Sequence, residues 1–182
     1  MRTSLLLLCL CIIGFGSVIA QDHYLVDLEN RSPDAQALVQ GYEGTPAILF
    51  KAKDYKGNEV ALTELKGQEI IMWFWKLDCA LCLKHLPVMN QLYKKHKDKV
   101  FFISFADDPK AALIDYTQSN PIDIPVIPNS SMLSQGPYGA ELGYPKFFIV
   151  DKSGIIKWVI PEEEMRGDFD LFLFIEALIN SL

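Results

Sequence analysis

The run Glu69-Ile70-Ile71-Met72-Trp73-Phe74-Trp75, followed three residues later by Cys79-Ala80-Leu81-Cys82, decides how this chain reads. An uninterrupted apolar run marks a strand buried on both faces. After Cys79, the residues Leu83, Leu86, Met89, Asn90 and Tyr93 recur at helical spacing, up to the basic tail Lys94-Lys95-His96-Lys97-Asp98-Lys99. Cations suit the negative end of a helix dipole, so the tail needs no binding role. The cysteine pair therefore stands where a buried strand ends and a helix begins. Unpaired N–H groups and the dipole at a helix N-terminus stabilise a thiolate. This predicts Cys79, at the cap, as the exposed nucleophile. Cys82, one turn in, is placed to attack the mixed disulfide and release the product.

Outward from this unit, Ala47–Lys53 reads as a strand, Lys56-Gly57-Asn58 as a turn and Val60–Leu62 as the partner strand. Val100–Phe105 reads as a second buried strand. Pro109–Ser119 reads as a helix capped by Asp107 or Asp108. Pro121–Pro137 reads as loop, with a short strand at Ile124–Ile127. Phe147–Val150 and Ile155–Ile160 flank the hairpin turn Asp151-Lys152-Ser153-Gly154, and Phe169–Leu182 closes the chain as an amphipathic helix. No internal repeat and no second domain is visible. The order predicts an α/β fold: a mixed central sheet flanked by helices on both faces, with an N-terminal β-hairpin extension.

Residues 1–20 have the form of a secretory signal: Arg2, the apolar run Leu5–Ile13, then the small-residue exit Val18-Ile19-Ala20. The run is short for a bilayer span, which takes about 20 apolar residues. Cleavage is expected near Ala20–Gln21, with the mature chain periplasmic or secreted and residues 21–43 a loosely ordered lead-in in which Asn30-Arg31-Ser32-Pro33-Asp34 forms a turn. Cys9 and Cys11 leave with the signal, which keeps Cys79 and Cys82 as the only cysteines of the remainder. Removing Arg2 leaves 16 Lys and Arg against 23 Asp and Glu. That acidic balance argues against nucleic acid, whose phosphates are bound by clustered cations. A disulfide gains stability with the length of the loop it closes, so cysteines three apart point to redox or metal chemistry rather than a staple.

The segment Trp73-Phe74-Trp75-Lys76-Leu77-Asp78-Cys79-Ala80-Leu81-Cys82-Leu83-Lys84-His85-Leu86-Pro87 resembles the active-site stretch of the thioredoxin-like, TlpA-type thiol-disulfide oxidoreductases, relatives of the AhpC/TSA proteins. Leu62-Thr63-Glu64-Leu65-Lys66-Gly67 and Gly143-Tyr144-Pro145-Lys146-Phe147-Phe148-Ile149-Val150-Asp151-Lys152-Ser153-Gly154 stand in the matching order. The similarity covers residues 44–182, the expected domain. It implies a thioredoxin-like fold and a redox-active Cys79–Cys82 pair that needs no other cofactor and no metal. Pro145 is implied as a cis-proline facing the pair, where it would free the Tyr144 backbone to pair with an extended substrate. Pro87 fits the family's helix kink. Tyr144, Pro145 and Trp75 become the expected substrate-contacting residues. The expected partners are protein disulfide substrates and a membrane thiol-transfer electron donor, with the chain itself a monomer.

Four positions depart from the family pattern. Asp78 stands where Trp is common and should raise the Cys79 pKa, whereas Lys76 and Lys84 should lower it. Trp73 replaces the buried acid of thioredoxins, and His85 replaces a Glu common three residues after the second cysteine. His85 is therefore the candidate acid/base for the proton that Cys82 must lose. Lys146 replaces Thr and is expected to add a cation to a substrate groove shelved by Tyr144.

Competing readings are weaker. A peroxiredoxin needs Thr where this chain has Lys76, and c-type haem attachment needs His where it has Leu83. A copper-binding module using Cys79, Cys82 and His85 is the main alternative. A non-catalytic interaction domain of the same fold is the other.

Overall fold

Residues 31–181 are described by the computed structural model. The expected signal and the first part of the lead-in lie outside the described residues. Helix α1 (Pro33–Val39) precedes the hairpin β1 (Lys51–Lys53) and β2 (Glu59–Ala61), then β3 (Ile70–Trp75), α2 (Ala80–His96) and β4 (Phe101–Ala106). Helix α3 (Lys110–Thr117), β5 (Val126–Ile127), α4 (Ser131–Gln135), β6 (Lys146–Val150), β7 (Ile156–Ile160) and α5 (Leu171–Ser181) complete the chain. The sheet order is β5-β4-β3-β6-β7. Strands β3, β4 and β5 run parallel, and β6 and β7 antiparallel to their neighbours. The expected mixed sheet is what forms.

Strand β3 lies at the centre, and its alternation divides the core. Ile71, Trp73 and Trp75 face one layer with Phe102, Phe147 and Ile149, covered by Leu86, Met89 and Leu92 of α2, Leu113 of α3, and Phe174, Ile175 and Leu178 of α5. Ile70, Met72 and Phe74 face the other with Ile103, Phe105, Phe148 and Val150. That second layer is roofed by short pieces: Val39 of α1, Leu62, Tyr138, Leu142, and Phe50 and Val60 from the hairpin. Each fully buried Phe in these layers contributes about 1.5–3 kcal/mol over an exposed one.

The lead-in is better ordered than its polar sequence suggests. Ser32 caps α1 by accepting the Ala35 N–H at 3.2 Å, and Pro33 occupies the first turn, so the expected turn is a helix start. The strand expected over Ala47–Lys53 is shorter, Lys51–Lys53, and residues 44–47 before it take another course. They bond to the β7 edge instead, with Gly44 N–H to Ile156 O at 2.8 Å, Ile156 N–H to Thr45 O at 2.9 Å and Ala47 N–H to Gly154 O at 2.9 Å. Further along that edge, Glu43 Oε1 accepts the Val159 N–H at 2.9 Å, and Arg31 donates to the Val159 carbonyl. Arg31 also pairs with Glu43 at 2.5 Å and Glu164 at 2.9 Å. Unpaired edge groups invite strand addition, and here two side chains occupy them.

On the other side, the end of α2 is clamped to α5. Glu176 accepts from Lys95 Nζ at 2.9 Å and pairs with His96 Nε2. Among the described residues, no helix is long and apolar enough to cross a membrane.

Candidate active site

The exits of β3 and β4 and the entry of β6 meet at one end of the sheet. The carboxyl ends of parallel strands are where α/β folds place their sites. Trp75 is opposite Ala106 and Phe74 opposite Lys146, which brings the segments after Trp75, after Ala106 and before Lys146 together.

Cys79 and Cys82 form a disulfide. Cys79 is the N-cap of α2, with its Sγ accepting the Cys82 N–H at 3.1 Å. Cys79 is 9% exposed and Cys82 0%. A reagent approaching from solvent meets Cys79 first, the order expected from the sequence, although even Cys79 is recessed. After reduction, the same N–H and the helix dipole favour the Cys79 thiolate over the buried Cys82.

The Tyr144–Pro145 peptide bond is cis. The Tyr144 carbonyl oxygen lies 3.5 Å from Cys79 Sγ, across the mouth of the site. Its phenol turns away and donates to Asp107 Oδ2 at 2.7 Å, with Ser134 Oγ at 2.8 Å. Burial, opposed by the Ser134 hydrogen bond and reinforced by Asp107, pushes the Tyr144 phenol up to about 12. It is a neutral donor at any physiological pH.

Lys146 is not the groove cation that its place after Pro145 suggested. In β6 it shares a face with Phe148 and Val150, opposite to Phe147, and it is fully buried. Its Nζ donates to Ser134 O at 2.5 Å and to Gly139 O, and lies 4.9 Å from the Tyr144 ring centre and 5.8 Å from that of Phe74. The cation that does border the mouth is Lys76, 5.4 Å from the Tyr144 ring centre and 3.2 Å from Asp78. Asp78 is the more exposed of that pair, so its charge is shared with Lys76 and with water before it acts on Cys79.

Trp75 shares a hydrophobic cluster with both cysteines, and its ring stacks on Trp73 at 5.2 Å. With no exposed surface, it supports the pair from within the core, and the direct substrate contact expected of it is closed in this arrangement. His85 is 3% exposed and borders a cleft of about 320 Å³ with Lys84, Val88 and residues 167–172. Burial, and secondarily the Lys84 charge, pulls its imidazole down to about 4, so it is neutral near pH 7. Its Nδ1 has no hydrogen-bond partner among the described residues.

Sequence reading missed Asp107, Asp108 and Ser134 as site residues. Neither aspartate caps α3, whose N-cap is Pro109 with no side-chain bond. Asp108 Oδ2 instead accepts the Leu77 N–H at 2.8 Å. Two acids directly after a buried parallel strand were the available signal. Among the described residues, no group of three or more His, Cys, Asp or Glu gathers as a metal site.

Comparison with known proteins places these features in a family. A family model described as AhpC/TSA family matches residues 44–159. "Thiol-disulfide oxidoreductase ResA" of Bacillus thuringiensis (strain Al Hakam) is 32% identical over 130 residues, covering 68% of this chain and 75% of that protein. Among solved structures, the pneumococcal exposed lipoprotein thioredoxin Etrx1 of Streptococcus pneumoniae superposes with a TM-score of 0.63 at 22% identity, covering 74% of this chain and all of that one. A secreted Mycobacterium tuberculosis disulfide oxidoreductase superposes at 0.59 with 16% identity, covering 73% and 96%. The two structures establish the thioredoxin-like fold.

Proposed function

Because the chain belongs to the AhpC/TSA family, we propose that it is an exported thiol-disulfide oxidoreductase working as a reductase on protein disulfides. The observation that carries this reading is the Cys79 sulfur. It is recessed but reachable at a helix N-terminus, with the Cys82 N–H at 3.1 Å, the Tyr144 carbonyl at 3.5 Å, and Cys82 buried behind it.

In the reduced chain, the Cys79 thiolate attacks one sulfur of a substrate disulfide. The Cys79–substrate bond forms as the substrate S–S bond breaks, and one substrate thiolate leaves and takes up a proton. Cys82 then loses its proton and attacks Cys79 Sγ, forming the Cys79–Cys82 disulfide and releasing the second substrate thiol. Two electrons pass to the substrate, and a dithiol must return them. A membrane thiol-transfer protein is the donor proposed for that step. The Tyr144 and Pro145 backbone, opposite Cys79, receives the substrate strand.

His85 enters this scheme as a neutral imidazole one turn beyond Cys82. It can hold the proton that Cys82 loses only briefly, because burial disfavours its charged form. Export rests on the form of residues 1–20, with 21–43 as lead-in and 44–182 as the catalytic domain.

The test is insulin reduction with dithiothreitol by the wild type and by Cys79→Ser and Cys82→Ser. Turnover lost in Cys79→Ser supports the reading, and undiminished turnover refutes it. Stoichiometric Cu(I) uptake without turnover would instead favour a metal module. Direction follows from the potential of the pair: a value near about −270 mV marks a reductase and one near about −120 mV an oxidant.

A further inference from the structure

Asp107 and Asp108 leave the exit of β4 side by side, and each reaches a different wall of the cysteine site. We propose that they are positioning residues for disulfide exchange, Asp108 fixing the turn that delivers Cys79 and Asp107 the loop that presents the Tyr144 carbonyl. The inference rests on the exchange reading above and adds what sets the spacing across the mouth.

The first wall is the turn after β3. It is closed by the Cys79 N–H to the Lys76 carbonyl at 3.3 Å, and Asp108 Oδ2 accepts the Leu77 N–H inside it at 2.8 Å. A carboxylate acceptor makes this stronger than a neutral turn bond. The second wall is the loop before β6. Asp107 takes the Tyr144 hydroxyl at 2.7 Å, Ser134 Oγ at 2.5 Å and Gln135 Nε2 at 3.1 Å, so one carboxylate gathers the phenol and two residues of α4.

The brace is stiff because its own backbone is held. Asp107 N–H donates to Trp75 O at 3.3 Å, Ser130 N–H to Ala106 O at 2.9 Å and Asn129 N–H to Asp108 O at 2.9 Å. Both carboxylates thus hang from the backbone bonded to the very strand that leads to Cys79. Two acids just before a helix would ordinarily cap it, and here neither does.

Spacing matters chemically in two ways. In-line attack among three sulfurs tolerates little displacement: an error of about 1 Å can cost about a hundredfold in rate. The Tyr144 carbonyl also turns its negative end toward Cys79 Sγ, which disfavours a thiolate there, whereas the Cys82 N–H favours it. The separation of the two walls therefore tunes both substrate seating and the readiness of Cys79 to ionise.

The test uses the full chain, with two probes. Iodoacetamide alkylation of the reduced protein, over roughly pH 5 to 9, reads the ionisation of Cys79. Insulin reduction with dithiothreitol reads KM and kcat. Tyr144→Phe and Asp107→Asn change little volume and keep the test in folded protein, and melting curves confirm folding at the assay temperature. Tyr144→Phe and Asp107→Ala are each expected to raise the insulin KM by about tenfold with a smaller change in kcat. The double variant should be no worse than either single one, because both cut the same link. Asp107→Asn, which keeps an acceptor oxygen, should recover most of the loss. Asp108→Ala removes a negative charge, which alone would move the alkylation profile to lower pH; loosening of the turn, which takes Cys79 Sγ from the Cys82 N–H, should instead move it to higher pH and slow the reaction at neutral pH by about tenfold. Folded variants with lower melting temperatures but wild-type KM and alkylation profiles would overturn the proposal and leave the aspartates a purely structural role. A wild-type chain that reduces no insulin would refute the exchange reading itself, while the alkylation arm still decides the brace.

Discussion

Lys146, the residue after Pro145, buries its ammonium group 2.5 Å from the Ser134 carbonyl. The same Nζ bonds Gly139 O, so one side chain ties β6 to both ends of the segment between α4 and the next turn. That segment includes Ser134 of the aspartate brace.

Replacing Lys146 with Met keeps the stem but takes the ammonium donor from the buried Ser134 carbonyl and leaves Gly139 O only the Leu142 N–H at 3.4 Å. The expected cost is about 1–3 kcal/mol, read as a melting temperature lower by about 2–4 °C per kcal/mol. Burial, opposed by the charges of Asp107 and Glu141, pulls Lys146 from 10.5 down to about 8. The unfolded chain therefore binds more protons between those two values, and stability from this residue rises with pH across that window. Urea unfolding at several pH values should show the gap between wild type and Lys146→Met widening from neutral to alkaline pH. A constant gap would mean that Lys146 titrates as an exposed lysine.

Glu176 offers the opposite test. Burial pushes its carboxyl up, but the hydrogen bonds from Lys95 and His96 and their charges outweigh that, and it ends below its ordinary value. A depressed acid contributes stability above its unfolded pKa of 4.5 and loses it as pH falls through the folded value. Glu176→Gln should cost about 2–4 kcal/mol near neutrality, because it leaves Lys95 and His96 without their shared anion. The difference from wild type should shrink as pH falls below 4.5 and through the lower folded value. A difference that persists unchanged in acid would rule out the ionic part of the clamp.

Arg31 is the strongest candidate for a destabilising change outside the domain that resemblance alone delimits. Its removal strands Glu43 and Glu164 and uncovers the Val159 carbonyl, so Arg31→Ala should cost about 3–5 kcal/mol. Burial already holds Glu164 above the ordinary carboxylate range, and the Arg31 charge and hydrogen bond offset this only partly. The penalty of Arg31→Ala should therefore grow as pH rises and Glu164 ionises without its partner. Chemical unfolding at mildly acidic and neutral pH measures it, and equal penalties at both would refute the coupling.

His85 should be silent near neutrality. With its imidazole pulled to about 4 by burial, its ring resonances should show no titration near 6.5 in an NMR series. Insulin reduction by wild type should then lack any histidine limb between about pH 6 and 8 that His85→Ala abolishes. A midpoint near the ordinary histidine value would show that the helix face opens in solution, and would restore His85 as an acid as well as a base.

The reaction unit was readable because its signals are local: an unbroken apolar run, then two cysteines at a helix start. The residues that hold the unit in place were less so. Asp107 and Asp108 precede Pro109, and local rules make such acids helix caps, yet pairing of β4 beside β3 gives them better partners across the sheet. Lys146 was read by its neighbour in sequence, Tyr144. Strand alternation from Phe147, whose face is set by the core, sends Lys146 into the opposite layer. Ser32 and Pro33 carry a sound helix-start signal that the polar surroundings of α1 obscured, because only Val39 of that helix is buried.

The covered edge of β7 has a practical consequence for any shortened form of this protein. A fragment trimmed to the family match, residues 44–159, would discard Arg31, Glu43 and Glu164 together with α5. It would keep the cysteine pair and the cover that residues 44–47 give the start of β7, yet it would end inside that strand, strip Val159 of its Glu43 and Arg31 partners and unroof the layer beneath α5. Two such fragments would meet through the apolar layer that Phe174, Ile175 and Leu178 normally cover, and an assay on them would measure self-association before it measured thiol chemistry.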